Sequence, residues 1–280
     1  MKRELKTALP SPLLDVVRKG IAFYRKQRTL ARRIFHLWYY AGDNVECPFC
    51  RKSFSRFRPT GALDRPFWKS PEGRSILELG YINVANAMCP WCRSSERHRG
   101  LYFYLRDRLH FQQLKNITLL DISPDGFFKK EFFSRGDLNY VSLDIRPDRH
   151  PSVIMDLTAM GFVDLSLDGI ICYHVLEHIQ DDIQAIKEMY RALKRGGWAI
   201  IQVPIWVDKT IEDPSVPPEK YLTLYGHKDH VRRCGPDYKS RLEAAGFRVS
   251  EDDFIGRLPK DKIQRYGLFE TEIIWFCEKA

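Results

Sequence analysis

The hydrophobic rhythm of the chain changes near Lys115. Between Leu13 and Tyr40 the apolar residues Val17, Ile21, Tyr24, Leu30, Ile34 and Leu37/Trp38 recur at roughly helical spacing, which predicts an amphipathic helix. Beyond Lys115, short apolar runs at Ile117–Leu120, Tyr140–Leu143, Val153–Met155, Gly169–Cys172 and Trp198–Val203 alternate with helix-like stretches. That order predicts βαβ units and a mainly parallel sheet, hence an α/β fold. The best-marked helix is expected over Asp181–Arg195: Asp181 and Asp182 lie in its first turn, Ile183, Ile186, Met189/Tyr190 and Leu193 share one face, and Lys194-Arg195 precede Gly196-Gly197. Acid at the start, base and glycine at the end, match the charge and conformational demands of helix termini. Residues 204–225 contain several prolines and no core rhythm, and read either as a substrate loop or as a solvated linker.

Composition narrows the class. Of 280 residues, 44% are hydrophobic and 29% charged, which excludes wholesale disorder and a polytopic membrane protein. The first residues lack both a continuous apolar stretch and a small-residue cleavage site, so a cytoplasmic protein is expected. The net charge of +9 is unevenly placed: residues 1–40 carry 10 Lys and Arg against 2 Asp and Glu, residues 41–110 carry 12 against 7, and residues 111–280 carry 23 against 27. A basic helix ending in Phe35, Trp38, Tyr39 and Tyr40 suits an anionic membrane surface, placing the protein peripherally on its inner face, or packs on its own domain with a solvated basic side. The chain therefore divides into a basic amphipathic segment (1–40), a cysteine-containing module with a linking helix (41–110), and an α/β domain (111–280).

Four of the seven cysteines form two knuckles, Cys47-Pro-Phe-Cys50 and Cys89-Pro-Trp-Cys92. Two such turns can aim four thiolates at one tetrahedral Zn²⁺, and four thiolates leave no open position, so this zinc is expected to be structural. Reduced, unbound turns or a redox pair are the alternatives. Cys172 and Cys277 sit in apolar runs and are expected in the core. After the second knuckle, Ser95 is a suitable N-cap for a helix carrying Arg97, His98 and Arg99, which either contact an anionic substrate or tie the module to the main domain.

In open α/β sheets, ligands bind beyond the carboxyl ends of the strands. The residues found there are Asp121-Ile122-Ser123-Pro124-Asp125-Gly126, Asp144, Asp156-Leu157 and Tyr173-His174-Val175-Leu176-Glu177-His178. The carboxylate of Asp144 suits the two hydroxyls of a ribose, and Asp156 suits an adenine amino group. No G-x-G-x-x-G follows the first strand, which argues for a nucleoside cofactor without a pyrophosphate.

Through D-I-S-P-D-G, S-L-D-I, M-D-L-T, H-V-L-E-H-I-Q-D-D and L-K-R-G-G-W-A-I-I, residues from about 115 to 280 resemble the class I S-adenosylmethionine-dependent methyltransferases. With its two C-P-x-C turns, its S-x-E-R-H-R helix and Tyr225-Gly226-His227-Lys228-Asp229-His230-Val231-Arg232, the chain is closer still to a bacterial subset whose first cofactor loop ends in a Pro-acid pair in place of glycines. The resemblance implies a Rossmann-like α/β fold with a mainly parallel seven-stranded sheet behind a small zinc-binding module. It also implies S-adenosyl-L-methionine held by Asp121, Ser123, Pro124, Asp144, Ile145, Asp156, Leu157, Tyr173 and His174.

Methyl transfer to a weak nucleophile needs alignment and a base. His230 is the expected base, with Asp229 as its orienting partner or as a substrate contact and His174 on the sulfonium side; His227 and Arg232 are expected to contact substrate, Arg232 by clamping a carboxylate or phosphate. The expected acceptor is a polar small molecule, such as a sugar hydroxyl in surface-glycan metabolism. RNA docked on the zinc module and basic amino terminus is the alternative, and a non-catalytic cofactor-binding scaffold is a third reading.

Overall fold

The computed structural model describes residues 34–60, 66–78 and 86–280. Most of the basic amphipathic segment thus lies outside the described residues. Its end is helical over 34–39 and exposes Ile34, Phe35, Trp38 and Tyr39, while Tyr40 is buried.

The cysteine module is built on a two-residue-per-strand hairpin, β1 (Val45–Glu46) with β2 (Ser53–Phe54), and an isolated bridge between Arg58 and Met88 brings the second knuckle alongside the first. A short helix, α1 (Pro71–Glu78), follows on a separate apolar cluster of Phe67, Trp68 and Ile76. Helix α2 (Glu96–Phe103) then leads into the main domain, starting at Ser95, whose N–H donates to His98 Nδ1 at 3.0 Å.

A seven-stranded sheet forms the main domain. It contains β3 (Ile117–Ile122), β4 (Leu138–Asp144), β5 (Val153–Ile154), β6 (Leu167–Tyr173) and β7 (Leu193–Gln202), all parallel where paired. Two further strands complete it at the β7 edge, with a short hairpin, β8 (Ile211–Glu212) with β9 (Arg232–Arg233), outside the sheet. These are β10 (Arg248–Asp252) and β11 (Ile274–Glu278), in the spatial order β10-β11-β7-β6-β3-β4-β5, with β11 antiparallel to both neighbours. The chain leaves β3 toward β4 and β5, then returns on the other side to β6 and β7. The crevice between β3 and β6 is therefore the switch point where such sheets bind ligands.

Alternation along the strands divides the core. In β3, Leu120 and Ile122 face a layer containing helix α3 (Asp182–Ala192), whereas Leu119 faces α2 and a Phe-rich cluster including Phe111, Phe132 and Phe133. Cys172, Cys234 and Cys277 are fully buried, as an apolar setting requires. Helix α3 begins where expected, with Asp181 Oδ1 accepting the Gln184 N–H at 3.0 Å, but it ends at Ala192, not Arg195. Leu193 already pairs with Leu167 as the first residue of β7, and Gly196, at φ +72°, makes a turn inside that strand segment. The basic-then-glycine signal marked the irregularity correctly and assigned it to the wrong element.

Candidate active site

The three carboxylates singled out at strand ends open on one cavity of about 1340 Å³, which Tyr173, His174 and His230 also line. That is more room than most small-ligand pockets offer, enough for a nucleoside cofactor and an acceptor side by side. Asp144, at the end of β4, is buried; its Oδ1 accepts the Arg146 N–H at 2.8 Å, and its Oδ2 meets Arg149 only at 3.4 Å, which leaves acceptor capacity for sugar hydroxyls. Asp156 Oδ1 accepts from both the Thr158 N–H and its hydroxyl at 2.8 Å, fixing that carboxylate beside buried Leu157. Ile145 remains exposed at the cavity edge.

The switch point carries backbone strain on both sides. Ser123, directly after β3, has φ +53°, and His174, directly after β6, has φ +57°. Each is nevertheless tied to the adjacent strand: the Ser123 N–H donates to Leu143 O at 2.7 Å and the His174 N–H to Gln202 O at 2.8 Å. Left-handed conformation in a non-glycine residue is costly and concentrates at functional sites. Pro124 follows Ser123, and then Asp125, whose Oδ1 accepts the Phe127 N–H at 3.2 Å and so opens a short helical turn.

Burial sets the protonation states. Asp121 is enclosed at the end of β3, and loss of solvent raises its pKa to about 7, although the Tyr140 hydroxyl donating to Oδ2 at 2.8 Å opposes this. Burial drives His174 the other way, well below the ordinary histidine value, which holds its ring neutral. Glu272, from the loop before β11, accepts from the Tyr173 hydroxyl at 2.5 Å, and desolvation raises it to about 8.

Sequence reasoning missed Glu272, Gln202 and Trp206. Gln202 Oε1, Glu272 Oε2 and Glu177 Oε2 are buried without a hydrogen-bond partner among the described residues, although all three residues line the cavity. Buried oxygens at a cavity wall take their hydrogen bonds from water or from a bound ligand. Only Trp206 carried a sequence signal, lying in the segment read either as a substrate loop or as a solvated linker; its ring stacks on His230 at 5.3 Å between centroids.

Not every expected contact reaches the cavity. Arg232, expected to clamp a substrate anion, is turned into the fold: Nε donates to Glu212 at 2.7 Å, Nη1 to the carbonyls of Leu176 and Ile179, and Nη2 to that of Gln180. With Asp182 Oδ1 3.4 Å away as well, it serves as a strap between β9 and the segment after β6. The Asp229 carboxylate lies 3.6 Å from Lys228 Nζ, and it is the Asp229 backbone that meets histidines: its N–H faces His227 Nδ1 at 3.3 Å, and its carbonyl accepts from His178 Nδ1 at 2.9 Å. His227 and His230 both line the cavity.

The four knuckle cysteines gather at one point, with Cys47 Sγ 3.5 Å from Cys92 Sγ and Cys50 Sγ 3.7 Å from Cys89 Sγ. Sulfurs bound at about 2.3 Å around a tetrahedral zinc stand about 3.8 Å apart, so this spacing fits the ion. Arg99 ties the module to the main domain: its five N–H donors reach the carbonyls of Tyr266, Ala87, Ser94, Asn86 and Gly267. His98 spans the same boundary. Its Nδ1 accepts from Ser95, so Nε2 carries the proton toward Asp125 Oδ2 at 3.1 Å.

The sheet order and its flanking helices define a class I, Rossmann-like α/β architecture. Residues 102–201 match the family model described as a methyltransferase domain, and the protein is an S-adenosylmethionine-dependent methyltransferase. No curated protein matches the sequence. Similar solved structures include a SAM-dependent methyltransferase from Archaeoglobus fulgidus, at 20% identity over 65% of this chain and 94% of that one, with a TM-score of 0.42. Another, from Mesorhizobium loti, is 13% identical over 62% of this chain and 95% of that one, with a TM-score of 0.46. Among the described residues no helix is long and apolar enough to cross a membrane.

Proposed function

We propose that the protein methylates a hydroxyl of a polar small molecule, a sugar or a similar acceptor, and that zinc at Cys47, Cys50, Cys89 and Cys92 is structural. The observation that carries this reading is the single cavity shared by strand-end carboxylates and imidazoles. When bound, S-adenosylmethionine supplies an electrophilic methyl group on sulfur. Asp144 would accept from its ribose hydroxyls, Asp156 would meet its adenine, and Ser123 and Pro124 would hold its amino-acid end. Of the imidazoles lining the cavity, His174 and His230 are the ones that would take the proton of the acceptor hydroxyl. Trp206 stacks on His230 at that side of the cavity and would help to keep water from the reacting groups.

The test pairs calorimetry with S-adenosylhomocysteine and methyl transfer to a panel of hydroxylated sugars and nucleotide sugars. Asp144→Asn is expected to weaken the nucleoside at least tenfold, about 1.4 kcal/mol. His230→Ala is expected to lower kcat by about 10²-fold or more while leaving that affinity in place, and His174→Ala to lower kcat at least as far. Unchanged binding in the Asp144 variant, or turnover only on RNA with a steep salt dependence, would remove the reading.

A further inference from the structure

We propose that His178, His227 and His230 form a binding site for a divalent transition metal of the zinc class, on the wall of the cavity beside the acceptor space. One candidate nitrogen from each ring lies within 4.8 Å of the others. The rings converge, with centroids 4.6 Å apart for His178–His230 and for His227–His230 and 5.7 Å apart for His178–His227. Nitrogens around a tetrahedral ion with bonds of about 2.0 Å stand about 3.3 Å apart, so capture of the ion draws these side chains in by at most about 1.5 Å. Gly226, in the left-handed conformation immediately before His227, lets the loop turn toward the other two rings.

The surroundings resemble the second shell of a metal site. His178 Nδ1 faces the carbonyl of Asp229 at 2.9 Å; a carbonyl only accepts, so the proton sits on Nδ1 and Nε2 keeps its lone pair for an ion. Trp206 stacks on buried His230 and holds its plane. The long contact between His227 Nδ1 and the Asp229 N–H, at 3.3 Å, is one that metal binding can replace. Glu177 lies beneath the cluster, with Oε1 3.9 Å from His178 Nε2 and Oε2 buried without a hydrogen-bond partner among the described residues. An imidazole-rich set with one nearby carboxylate selects zinc-like ions over magnesium or calcium, and three protein nitrogens leave a position open to a further ligand.

The use of such an ion rests on the methyltransferase proposal, although its binding does not. A hydroxyl on the open position becomes more acidic and gives its proton to His174. Its oxygen then forms the C–O bond as the C–S bond breaks with the pair going to sulfur. On this account His230 contributes a ligand, and the base is His174.

Co²⁺ is the probe, added to the full chain with zinc retained at the four cysteines. One equivalent is expected to bind with visible d–d absorption and no thiolate charge-transfer band. His178→Ala and His227→Ala, both at partly exposed positions, are expected to weaken it at least tenfold. Absence of the d–d band, or equal affinity in both variants and the parent, overturns the site. S-adenosylhomocysteine calorimetry on the same samples separates the two proposals. Cobalt binding without nucleoside binding supports the metal site and ends the methyl-transfer reading, whereas nucleoside binding without cobalt ends only the metal site and leaves both His174 and His230 as bases.

Discussion

The Arg99 guanidinium donates to the Gly267 carbonyl at 2.9 Å, joining the helix that leaves the cysteine module to the residue that ends the helix at Lys260–Tyr266. Arg99 is fully buried, its guanidinium lies 3.8 Å from the centre of the Phe57 ring, and every one of its N–H groups has a backbone carbonyl. Module and catalytic domain are therefore joined through a side chain whose shape, beyond its charge, is used.

Arg99→Lys is accordingly expected to be far from conservative. A lysine keeps the charge but supplies three donors from a point, leaving buried carbonyls unpaired at about 1–3 kcal/mol each. Urea unfolding is expected to show a loss of about 3 kcal/mol or more; a midpoint within error of the parent would show that the carbonyls are satisfied otherwise.

Removal of metal from the four cysteines is expected to reach beyond the module. Chelation, or Cys47→Ser, should release one zinc per chain and lower the thermal midpoint by about 5 °C or more, since about 2 kcal/mol corresponds to that shift at this chain size. Metal analysis with calorimetry of the same sample provides the check. No zinc in the purified chain, or an unchanged midpoint after its removal, contradicts a structural ion.

The contribution of Glu272 to stability is expected to fall as pH rises from about 4.5 to 8. Desolvation raises the Glu272 carboxyl from its ordinary value to about 8, so across this window the folded chain holds a proton that the unfolded chain has released. The native state is favoured most below the unfolded pKa, loses stability through the window, and changes no further above about 8. Asp121, raised to about 7, and Glu177, raised by burial, act with the same sign. Glu272→Gln should flatten part of this slope and make the variant the more stable protein at pH 9 by about 1 kcal/mol or more. Urea midpoints at pH 5 and pH 9 for both proteins decide the matter, and parallel pH profiles would place the Glu272 titration elsewhere.

Much of the fold was legible because its signals are local. Runs such as Ile117–Leu120 and Gly169–Cys172 became strands β3 and β6, since only a buried parallel sheet accommodates short, continuously apolar segments flanked by helices. The helix boundary at Ala192 was not legible, because the pairing of Leu193 with Leu167 overrides a terminal signal that is good only on average. Strand-end acids were readable from topology alone. Glu272 was not: 99 residues separate it from Tyr173, and nothing in its neighbourhood announces that contact.

Spacing and residue type determined by themselves that this chain has a parallel α/β sheet, two cysteine knuckles able to share one ion, and acids at the ends of successive strands, because each depends on a few neighbouring residues and the period of a helix or strand. Tertiary structure alone decided that Arg232 is a strap, that Arg99 joins two units, and that His178, His227 and His230 converge beneath Trp206. A charged or imidazole side chain takes its role from what surrounds it, and here those surroundings come from distant parts of the chain brought together only when the sheet is assembled.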